Sequence, residues 1–310
     1  MRKTLGAITL SFATLIPSYA WSSDDYPNRS ISVIVPWSAG GGTDVTIRGF
    51  LNFAADDIGQ NFNVTNVTGG GGTVGWVQAA NARANGYNLS ALTYDLLLLS
   101  ARGGSVDYRD FTPLITISRY PQVLAVPADS DIENWADFVE QAKASNDMSI
   151  ALGGFGSMHH IAAVQLQEEA DFTATLVPFQ GGAASIAALL GGNVKATFSD
   201  VPEVRDRPEL KVILQFSDER SEALPDVPTA QEEGMDIVFN SFRALAAPKD
   251  TPDEIVDYLR NAFSETWHGE AFQNWSSEVN VSPAYLSGED TQQLFDETVP
   301  TLEAISQQIR

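Results

Sequence analysis

Four glycine-rich segments carry the clearest chemical signal in this sequence. They are residues 40–42, 69–72, 153–156 and 181–182. Each follows an apolar run and precedes a stretch with helical spacing. Glycine lets the backbone approach a ligand closely, and the free N–H groups at a helix start hold an anion with the help of the helix dipole. The pattern therefore predicts an anion site built mainly from backbone.

The first segment, Gly40-Gly41-Gly42-Thr43-Asp44, is the best candidate for that site. A plain strand-to-helix turn is its simpler interpretation. A nucleotide loop is excluded because the Gly-Lys-Ser/Thr ending is missing and Asp44 would repel a phosphate. Either Thr43 or Asp44 is predicted to cap the helix that follows, and Thr73 is predicted to cap the next one.

The third segment leads into a serine and two histidines. Ser157 is a candidate ligand contact, with helix capping as the alternative, and its hydroxyl is able to do both. His159 and His160 do not suggest a metal site, because neighbours on a helix point about 100° apart and no nearby carboxylate completes the ligand set. Core packing or capping is expected for them, and His160 is a candidate for the wall of the cleft.

Two charged and three aromatic residues complete the candidates. Arg243 is a candidate ligand contact because its planar fork suits a carboxylate; a salt bridge at a hinge between lobes is the alternative. Asp200 ends a strand and either orders water, accepts from a ligand hydroxyl or amine, or caps a helix. Trp37, Tyr94 and Phe155 either form the floor of the pocket or are simply packed.

The elements that must position these residues follow from periodicity. Strands are predicted at 31–35, 63–67, 148–152 and 174–179, each followed by a glycine turn and an amphipathic helix. Strands that alternate with helices indicate an α/β fold with mostly parallel sheets. In such sheets ligands lie beyond the C-terminal strand ends, and that is where the glycines occur.

Two long extended segments, 114–127 and 239–247, are suited to crossing between lobes. Length alone favours two domains. We therefore predict a first lobe of residues 24–120 plus 243–310 and a second lobe of residues 121–242.

The N-terminus predicts secretion. Residues 1–20 combine Arg2 and Lys3 with an apolar run from Leu5 and end in Ser-Tyr-Ala, which is the pattern of a signal peptide cut after Ala20. The apolar run is shorter than the roughly 20 residues of a spanning helix, although a retained anchor is the alternative. A periplasmic location follows from this interpretation.

Composition excludes several classes of function. The chain has 18 basic and 40 acidic residues, so removal of two basic residues with the leader leaves 16 − 40 = −24. This acidity argues against nucleic acid and anionic membrane surfaces as partners. Cysteine is absent, which excludes disulfides and thiolate metal sites. A monomer without metal or cofactor is predicted.

Short motifs run in order along nearly the whole chain after the leader. They are Tyr26-Pro27 and residues 35–44, 69–75, 85–87, 110–114, 156–160, 178–182, 189–192, 224–229, 247–248 and 251–252. This ordered set resembles the Bug-type receptors, the periplasmic substrate-binding proteins of tripartite tricarboxylate transporters. The resemblance implies a type II periplasmic-binding fold, with two α/β lobes, a central ligand cleft and two hinge crossings.

The resemblance also implies a small carboxylate ligand, partner permease subunits in the membrane, and one ligand carboxylate held by the first and third glycine loops. Departures at Trp37-Ser38-Ala39 and at Thr93-Tyr94-Asp95 put the identity of the ligand in doubt, while Arg243 resembles the tricarboxylate-type members. The predicted ligand-binding residues are Trp37, Ser38, Ala39, Gly40, Gly41, Gly42, Thr43, Asp44, Thr93, Tyr94, Gly154, Phe155, Gly156, Ser157, His160, Gly181, Gly182, Asp200 and Arg243.

Three functions remain open at this point. The first is a receptor that delivers a dicarboxylate, tricarboxylate, aromatic acid or amino acid to a transporter. The second is a receptor of the same fold that serves a sensor kinase of a two-component system. The third is a periplasmic enzyme, which is disfavoured because the sequence has no cysteine nucleophile, no Gly-x-Ser-x-Gly elbow and no convincing metal cluster.

Overall fold

The computed structural model describes residues 26–145, 147–279 and 281–308, so the predicted signal peptide lies outside the described residues. Strands and helices alternate along this part of the chain. The strands are β1 (Ile31–Val35), β2 (Phe62–Asn66), β3 (Asn88–Leu92), β4 (Phe111–Pro127), β5 (Ser149–Leu152), β6 (Thr175–Pro178), β7 (Ala196–Asp200), β8 (Leu210–Phe216), β9 (Asn240–Pro248) and β10 (Pro283–Ser287). The helices are α1 (Gly42–Ile58), α2 (Thr73–Ala80), α3 (Tyr94–Ala101), α4 (Trp135–Ala144), α5 (Met158–Glu169), α6 (Gly182–Leu190), α7 (Val201–Val204), α8 (Asp253–His268), α9 (Glu270–Glu278) and α10 (Gly288–Gln308).

The four strand–glycine–helix units predicted from the sequence are confirmed as β1–α1, β2–α2, β5–α5 and β6–α6. Helix α1 buries Ile47, Phe50 and Ala54 on one face, as its helical spacing requires. It ends at Gly59, whose φ of 72° lies in the left-handed region that favours glycine, and whose N–H donates to the carbonyl of Ala55.

The side-chain caps predicted for helices α1 and α2 are wrong. Helix α1 has Gly41 at its N-cap and no side-chain cap, because the Asp44 carboxylate turns back to accept from the N–H of Gly40 at 3.0 Å. Helix α2 has Gly72 at its N-cap, and the Thr73 hydroxyl donates to the Gly70 carbonyl at 2.7 Å. Both glycine turns therefore leave helix N–H groups without the usual capping oxygen.

Two α/β lobes meet along one long strand, β4. In the first lobe, parallel β2, β1 and β3 are followed by antiparallel β9, and residues 111–121 of β4 pair with β9. In the second lobe, residues 122–127 of β4 pair with β7 and β8, and β7 continues into parallel β5 and β6. This arrangement confirms the predicted fold class, and the predicted crossings fall in β4 and β9. The residue limits given for the lobes remain a prediction.

The hydrophobic core near the crossing strands is shared between the lobes. One cluster of buried side chains includes Leu96 of α3, Phe198 of β7 and Phe295 of α10. The ring of Phe242 stacks on Phe295 with centroids 5.2 Å apart. Each fully buried side chain of this size contributes about 1.5–3 kcal/mol to folding. The strands that carry the candidate site are thus held by packing from both sides.

Across the described ranges, every helix is too short or too polar to cross a lipid bilayer.

Candidate functional site

The starts of three helices converge on a cleft between the two lobes. Helices α1, α5 and α6 begin directly after the glycine turns, so their N–H groups point toward the same space. The cleft holds about 440 Å³ of space free of protein atoms, including its mouth. It is lined by Trp37, Gly41, Gly42, Thr43, Thr93, Asp95, Gln122, Gly153, Ser157, His159, Gly181, Gly182, Asp200, Glu203, Ser241 and Arg243.

We call the start of α1 at Gly41 and Gly42, with the facing start of α6 at Gly181 and Gly182, the glycine cradle. A carboxylate of the protein itself lies in it. The N–H of Gly42 donates to Oε1 of Glu203 at 2.6 Å, and the hydroxyl of Ser199 donates to Oε2 at 2.7 Å. Because Gly42 belongs to the first lobe and Glu203 to the second, this carboxylate also links the lobes.

Glycine is required where α6 meets that carboxylate. A Cβ added at Gly182 would lie only 2.1 Å from Oε2 of Glu203. At Gly42 the corresponding Cβ would lie 3.1 Å from Cγ of the same side chain. The sequence Gly181-Gly182 therefore lets the α6 backbone approach an anion more closely than any other residue type would allow.

A second internal carboxylate occupies the start of α5. The N–H of Met158 donates to Oδ1 of Asp95 at 2.8 Å, and the Thr93 hydroxyl donates to Oδ2 at 2.9 Å. Ser157 caps the same helix: its hydroxyl accepts from the N–H of His160 at 3.4 Å and donates to the carbonyl of Gly154 at 2.7 Å. The capping role proposed for Ser157 is thus present in the structure, alongside its place on the cleft wall.

The deepest wall of the cleft is a buried ion pair. Arg243 is 5 % exposed and Asp200 is 4 % exposed, and Nη2 of the arginine pairs with Oδ2 of the aspartate. The Ser241 hydroxyl donates to Oδ1 of Asp200 at 2.7 Å. Nη1 of Arg243 donates to the Phe242 carbonyl at 2.9 Å, and the guanidinium lies 5.0 Å from the centre of the Tyr120 ring. These contacts orient the arginine from several directions.

Electrostatics fix the charges of this pair. Burial raises the pKa of the Asp200 carboxyl, but Arg243, His159 and Ser241 outweigh it and bring the pKa down to about 2. Burial lowers the pKa of Arg243, but Tyr120, Asp200 and Glu203 outweigh it, so that pKa is raised. Both groups are therefore charged at neutral pH, and their charges cancel locally.

Two polar atoms on the cleft wall have no hydrogen-bond partner. They are Oε1 of Gln122, a residue that is 2 % exposed, and Nε of Arg243. A buried donor or acceptor left unpaired costs about 1–3 kcal/mol. One is an acceptor and the other a donor, and both are covered by neighbouring protein atoms, so a ligand reaches them only when those atoms move.

Ten of the residues predicted from the sequence line this cleft. They are Trp37, Gly41, Gly42, Thr43, Thr93, Ser157, Gly181, Gly182, Asp200 and Arg243. The other nine do not, namely Ser38, Ala39, Gly40, Asp44, Tyr94, Gly154, Phe155, Gly156 and His160. The binding roles of both groups remain predictions.

Several predicted residues do not line the cleft because their side chains make contacts elsewhere. Asp44 pairs with Arg48 at 2.8 Å, and the ring of Tyr94 packs on Phe242 at 5.5 Å. Phe155 is 73 % exposed and lies against the ring of His160.

The loops that carry the remaining off-wall residues link the lobes. The N–H of Ser38 donates to the Gln180 carbonyl at 3.2 Å, and the Gly156 carbonyl accepts from Nη1 of Arg102 at 3.2 Å. Ala39, Gly40 and Gly154 belong to the same loops. The hydrogen bonds of Ser38 and Gly156 hold these loops in place around the cleft.

The two histidines differ in placement from the expectation. His159, rather than His160, lies on the cleft wall, where its Nε2 is 4.0 Å from Oδ1 of Asp200 and its Nδ1 accepts from the N–H of Gly153 at 3.2 Å. Nδ1 of His160 accepts from the N–H of Gly156 at 3.1 Å, and burial followed by the nearby Arg102 lowers its pKa.

Six cleft residues fall outside the predicted set: Asp95, Gln122, Gly153, His159, Glu203 and Ser241. Ser241 and Asp95 directly adjoin predicted segments, so a wider window around Arg243 and Tyr94 would have included them. Gln122 is a buried polar residue inside the apolar run of β4, which is a usable signal. Glu203 has no such signal, because an acidic residue in the first turn of a helix is ordinary.

Comparison with known proteins gives a consistent result. The sequence model of the family described as "Tripartite tricarboxylate transporter family receptor" matches residues 47–310. The chain is 28% identical to BugT of Bordetella pertussis over 301 residues, which cover 94% of this chain and 92% of BugT.

Solved structures agree in fold. A TctC solute-binding protein from Polaromonas, without ligand, is 30% identical with a TM-score of 0.66, covering 91% of this chain and 99% of that one. MatC of Rhodopseudomonas palustris with bound malate is 24% identical with a TM-score of 0.82, covering 90% of this chain and 99% of that one.

Proposed function

The chain belongs to the tripartite tricarboxylate transporter receptor family, and from this premise we propose that it binds a small carboxylate in the periplasm and delivers it to the membrane subunits of such a transporter. Removal of the leader after Ala20 and release into the periplasm are part of the proposal.

One observation carries the carboxylate assignment: the starts of α1 and α6, which have no side-chain cap, meet the guanidinium of Arg243 in a single cleft. Helix N–H groups and arginine are the donors that proteins use for carboxylates. The malate bound to MatC is a dicarboxylate, and a cleft that combines helix N–H donors with an arginine suits a ligand of that kind.

The acidity of the protein does not prevent anion binding. Charges on the far surface are screened within about 8 Å at physiological ionic strength, whereas donors in the cleft act at contact. The negative net charge of the protein is expected to slow the association of an anion but not to speed its dissociation once it is bound.

The unpartnered atoms suggest what the rest of the ligand offers. Nε of Arg243 needs an acceptor and Oε1 of Gln122 needs a donor. An acid with a hydroxyl beside its second carboxylate supplies both. Nη1 and Nη2 of Arg243 each donate one N–H, to Phe242 and Asp200, so two of the five N–H donors of the guanidinium are already engaged within the protein.

Catalysis is not part of the proposal, although Ser157, His159 and Asp200 share the cleft. A nucleophilic serine needs its hydroxyl directed at the base. Here the Ser157 hydroxyl donates to the Gly154 carbonyl, and Nδ1 of His159 accepts from Gly153. Neither imidazole nitrogen faces the hydroxyl as a base would.

A thermal-shift screen tests the proposal. The mature chain is heated with the sodium salts of succinate, malate, adipate, citrate, benzoate and glutamate, with sodium chloride of equal ionic strength as the control. A ligand at roughly 100 times its Kd adds about 2.7 kcal/mol of stability, which raises Tm by about 5 °C.

Calorimetry then ranks the acids that stabilise the protein, and malate is expected to bind more tightly than succinate because of its hydroxyl. If every acid behaves like sodium chloride, the carboxylate assignment is refuted. Loss of uptake of the best acid in a strain lacking the receptor tests the delivery step.

A further inference from the structure

The carboxylate of Glu203 already does in the glycine cradle what a ligand carboxylate would do. Both of its oxygens accept short hydrogen bonds, from the N–H of Gly42 and from the Ser199 hydroxyl. It comes close enough to Gly182 that only glycine fits there. The protein itself therefore shows which chemical group the cradle accepts.

Two carboxylates cannot share this position. Like charges at contact repel, and the N–H of Gly42 donates to one acceptor. A ligand carboxylate that uses the cradle must therefore first move the side chain of Glu203 away.

The structure offers a place for that side chain to go. We call the outer groove the depression on the far side of the contact between Gly42 and Glu203. It contains about 670 Å³ free of protein atoms, including open solvent at its mouth, and is lined by residues that include Val45, Pro202, Asp206 and Arg207. Glu203 lines both the cleft and the outer groove, so rotation about its side-chain bonds moves the carboxylate from one to the other.

Arg207 is a partner for the displaced carboxylate. It follows Glu203 by four residues, and its Nε donates to the Glu203 main-chain carbonyl at 2.9 Å. The guanidinium thus lies within a side chain's length of the groove. An exposed ion pair of this kind is weak, which suits a group that must return to the cradle when the ligand leaves.

The cleft has features that Glu203 does not explain. Gln122 and Arg243, both more than nine-tenths buried, line the same space and each has a polar atom without a partner. Glu203 accounts for the glycine cradle but forms a hydrogen bond with neither of these two atoms.

We propose that Glu203 is an internal stand-in for the ligand carboxylate, which occupies the glycine cradle in the empty protein and moves into the outer groove when ligand binds. The inference rests on the proposed function, because it names what regulates that same site. A monocarboxylate only replaces the bonds that Glu203 gives up. An acid with a second group that reaches Gln122 and Arg243 gains more, so Glu203 selects for such acids.

The first experiment uses acetate, because Glu203→Ala removes the atoms of one acetate ion. Thermal unfolding is followed in sodium acetate and in sodium chloride of equal concentration. Acetate is expected to raise the Tm of Glu203→Ala by about 2–4 °C relative to chloride and to leave the wild type unchanged. Glu209→Ala, an exposed residue of the same lobe outside both spaces, is the matched control for loss of one negative charge.

An equal response of all three proteins to acetate would overturn the proposal, since the cradle would then not be a carboxylate site vacated by Glu203. Cooperative unfolding of each variant shows that it is folded. Should Glu203→Ala fail to fold, Glu203→Gln replaces it, and acetate is then expected to stabilise this variant because the amide competes less well than the carboxylate.

The second experiment measures malate affinity by calorimetry. Removal of the competing charge in Glu203→Gln is expected to tighten binding about tenfold or more, while Glu209→Gln leaves it unchanged. Weaker binding by Glu203→Gln would mean that Glu203 contacts a donor on the ligand, and equal binding would mean that it does not compete. Either result overturns the proposal.

The two experiments separate this inference from the proposed function. Stabilisation of Glu203→Ala by acetate, with no response of any variant to the larger acids, would support the stand-in and refute the carboxylate receptor. Binding of malate by the wild type, with no effect of changes at Glu203, would do the reverse.

Discussion

Asp200 and Glu203 lie three residues apart at the end of β7, and their carboxylates are held in opposite ways. Asp200 is buried and paired with the guanidinium of Arg243. Glu203 is only partly buried and is held by a main-chain N–H of the other lobe and by the hydroxyl of Ser199. A buried charge with a charged partner is fixed, whereas a carboxylate held by neutral donors beside open space can be exchanged. The end of β7 thus supplies both Asp200, whose carboxylate is fixed, and Glu203, whose carboxylate can be exchanged.

Breaking the fixed pair is expected to have the largest effect. Arg243→Ala leaves the buried carboxylate of Asp200 without its partner, and the free energy of unfolding should fall by about 3–5 kcal/mol. Urea unfolding measures it. The double variant Asp200→Asn with Arg243→Met is the control, because loss of both charges should restore much of the stability. If Arg243→Ala lowers the free energy of unfolding by less than about 1 kcal/mol, the Asp200–Arg243 pair is held no more firmly than the Glu203 carboxylate.

Low pH should disrupt the same ion pair by protonating the Asp200 carboxylate. The folded pKa of Asp200 is about 2, below the ordinary value near 4, with Arg243 and His159 as the charged or titratable groups that lower it. A depressed pKa contributes stability that is present above the unfolded pKa and is lost as pH falls through the folded one. About 2–3 kcal/mol should therefore disappear progressively between about pH 5 and pH 1, with the steepest loss between the two pKa values. Urea unfolding across this range should show the slope in the wild type and a smaller slope in Asp200→Asn.

The exchangeable anion is expected to be sensitive to the backbone that holds it. Gly182 is helical, so alanine suits its conformation, but the added Cβ would fall on the carboxylate position. Gly182→Ala should retain its fold and weaken malate binding at least about tenfold, measured by calorimetry. Gly191→Ala, at the opposite end of α6 with a φ of −79°, is the matched control. Unchanged affinity in Gly182→Ala would place the ligand outside the glycine cradle.

The smallest effect on malate affinity is expected from Arg207 in the outer groove, which would pair with the displaced Glu203 carboxylate. Arg207→Gln removes the positive charge of the outer groove, and malate should bind less than about fivefold more weakly, as for other exposed ion pairs. The loss should vanish in a Glu203→Gln background, because the pair no longer exists there. A loss that persists in that background would mean that Arg207 acts on the ligand by another route.

The fold was accessible from the sequence because its signals are local. Apolar runs, glycine turns and helical spacing identify β1–α1 or β5–α5 without reference to the rest of the chain. The long extended segment that became β4 was equally visible. The predicted side-chain cap of α1 is absent because the Asp44 carboxylate instead contacts Gly40, Arg48 and Asn66. These three residues come together only in the folded chain.

The site was accessible only in part, for a related reason. The glycines, Ser157 and Arg243 follow local rules, and the structure places them around one cleft. Glu203 meets Gly42 from 161 residues away, and nothing near either position predicts the contact. The aromatic candidates Tyr94 and Phe155 were predicted to line the site but do not. A loop position alone does not say whether a ring faces the ligand, the core or water.

The path of the chain through β4 and β9 has a consequence for the order of folding. Ser90 of β3 pairs with Ala246 of β9, so the sheet of the first lobe is completed only by residues that follow the entire second lobe. Pairing across so long a stretch of chain is slow, and until it occurs β3 presents an open edge that invites association with other chains. Completion of the first lobe is therefore expected to be a late step of folding, and a chain that stops before Asn240 is expected to keep an exposed edge on β3 even when its second lobe has formed.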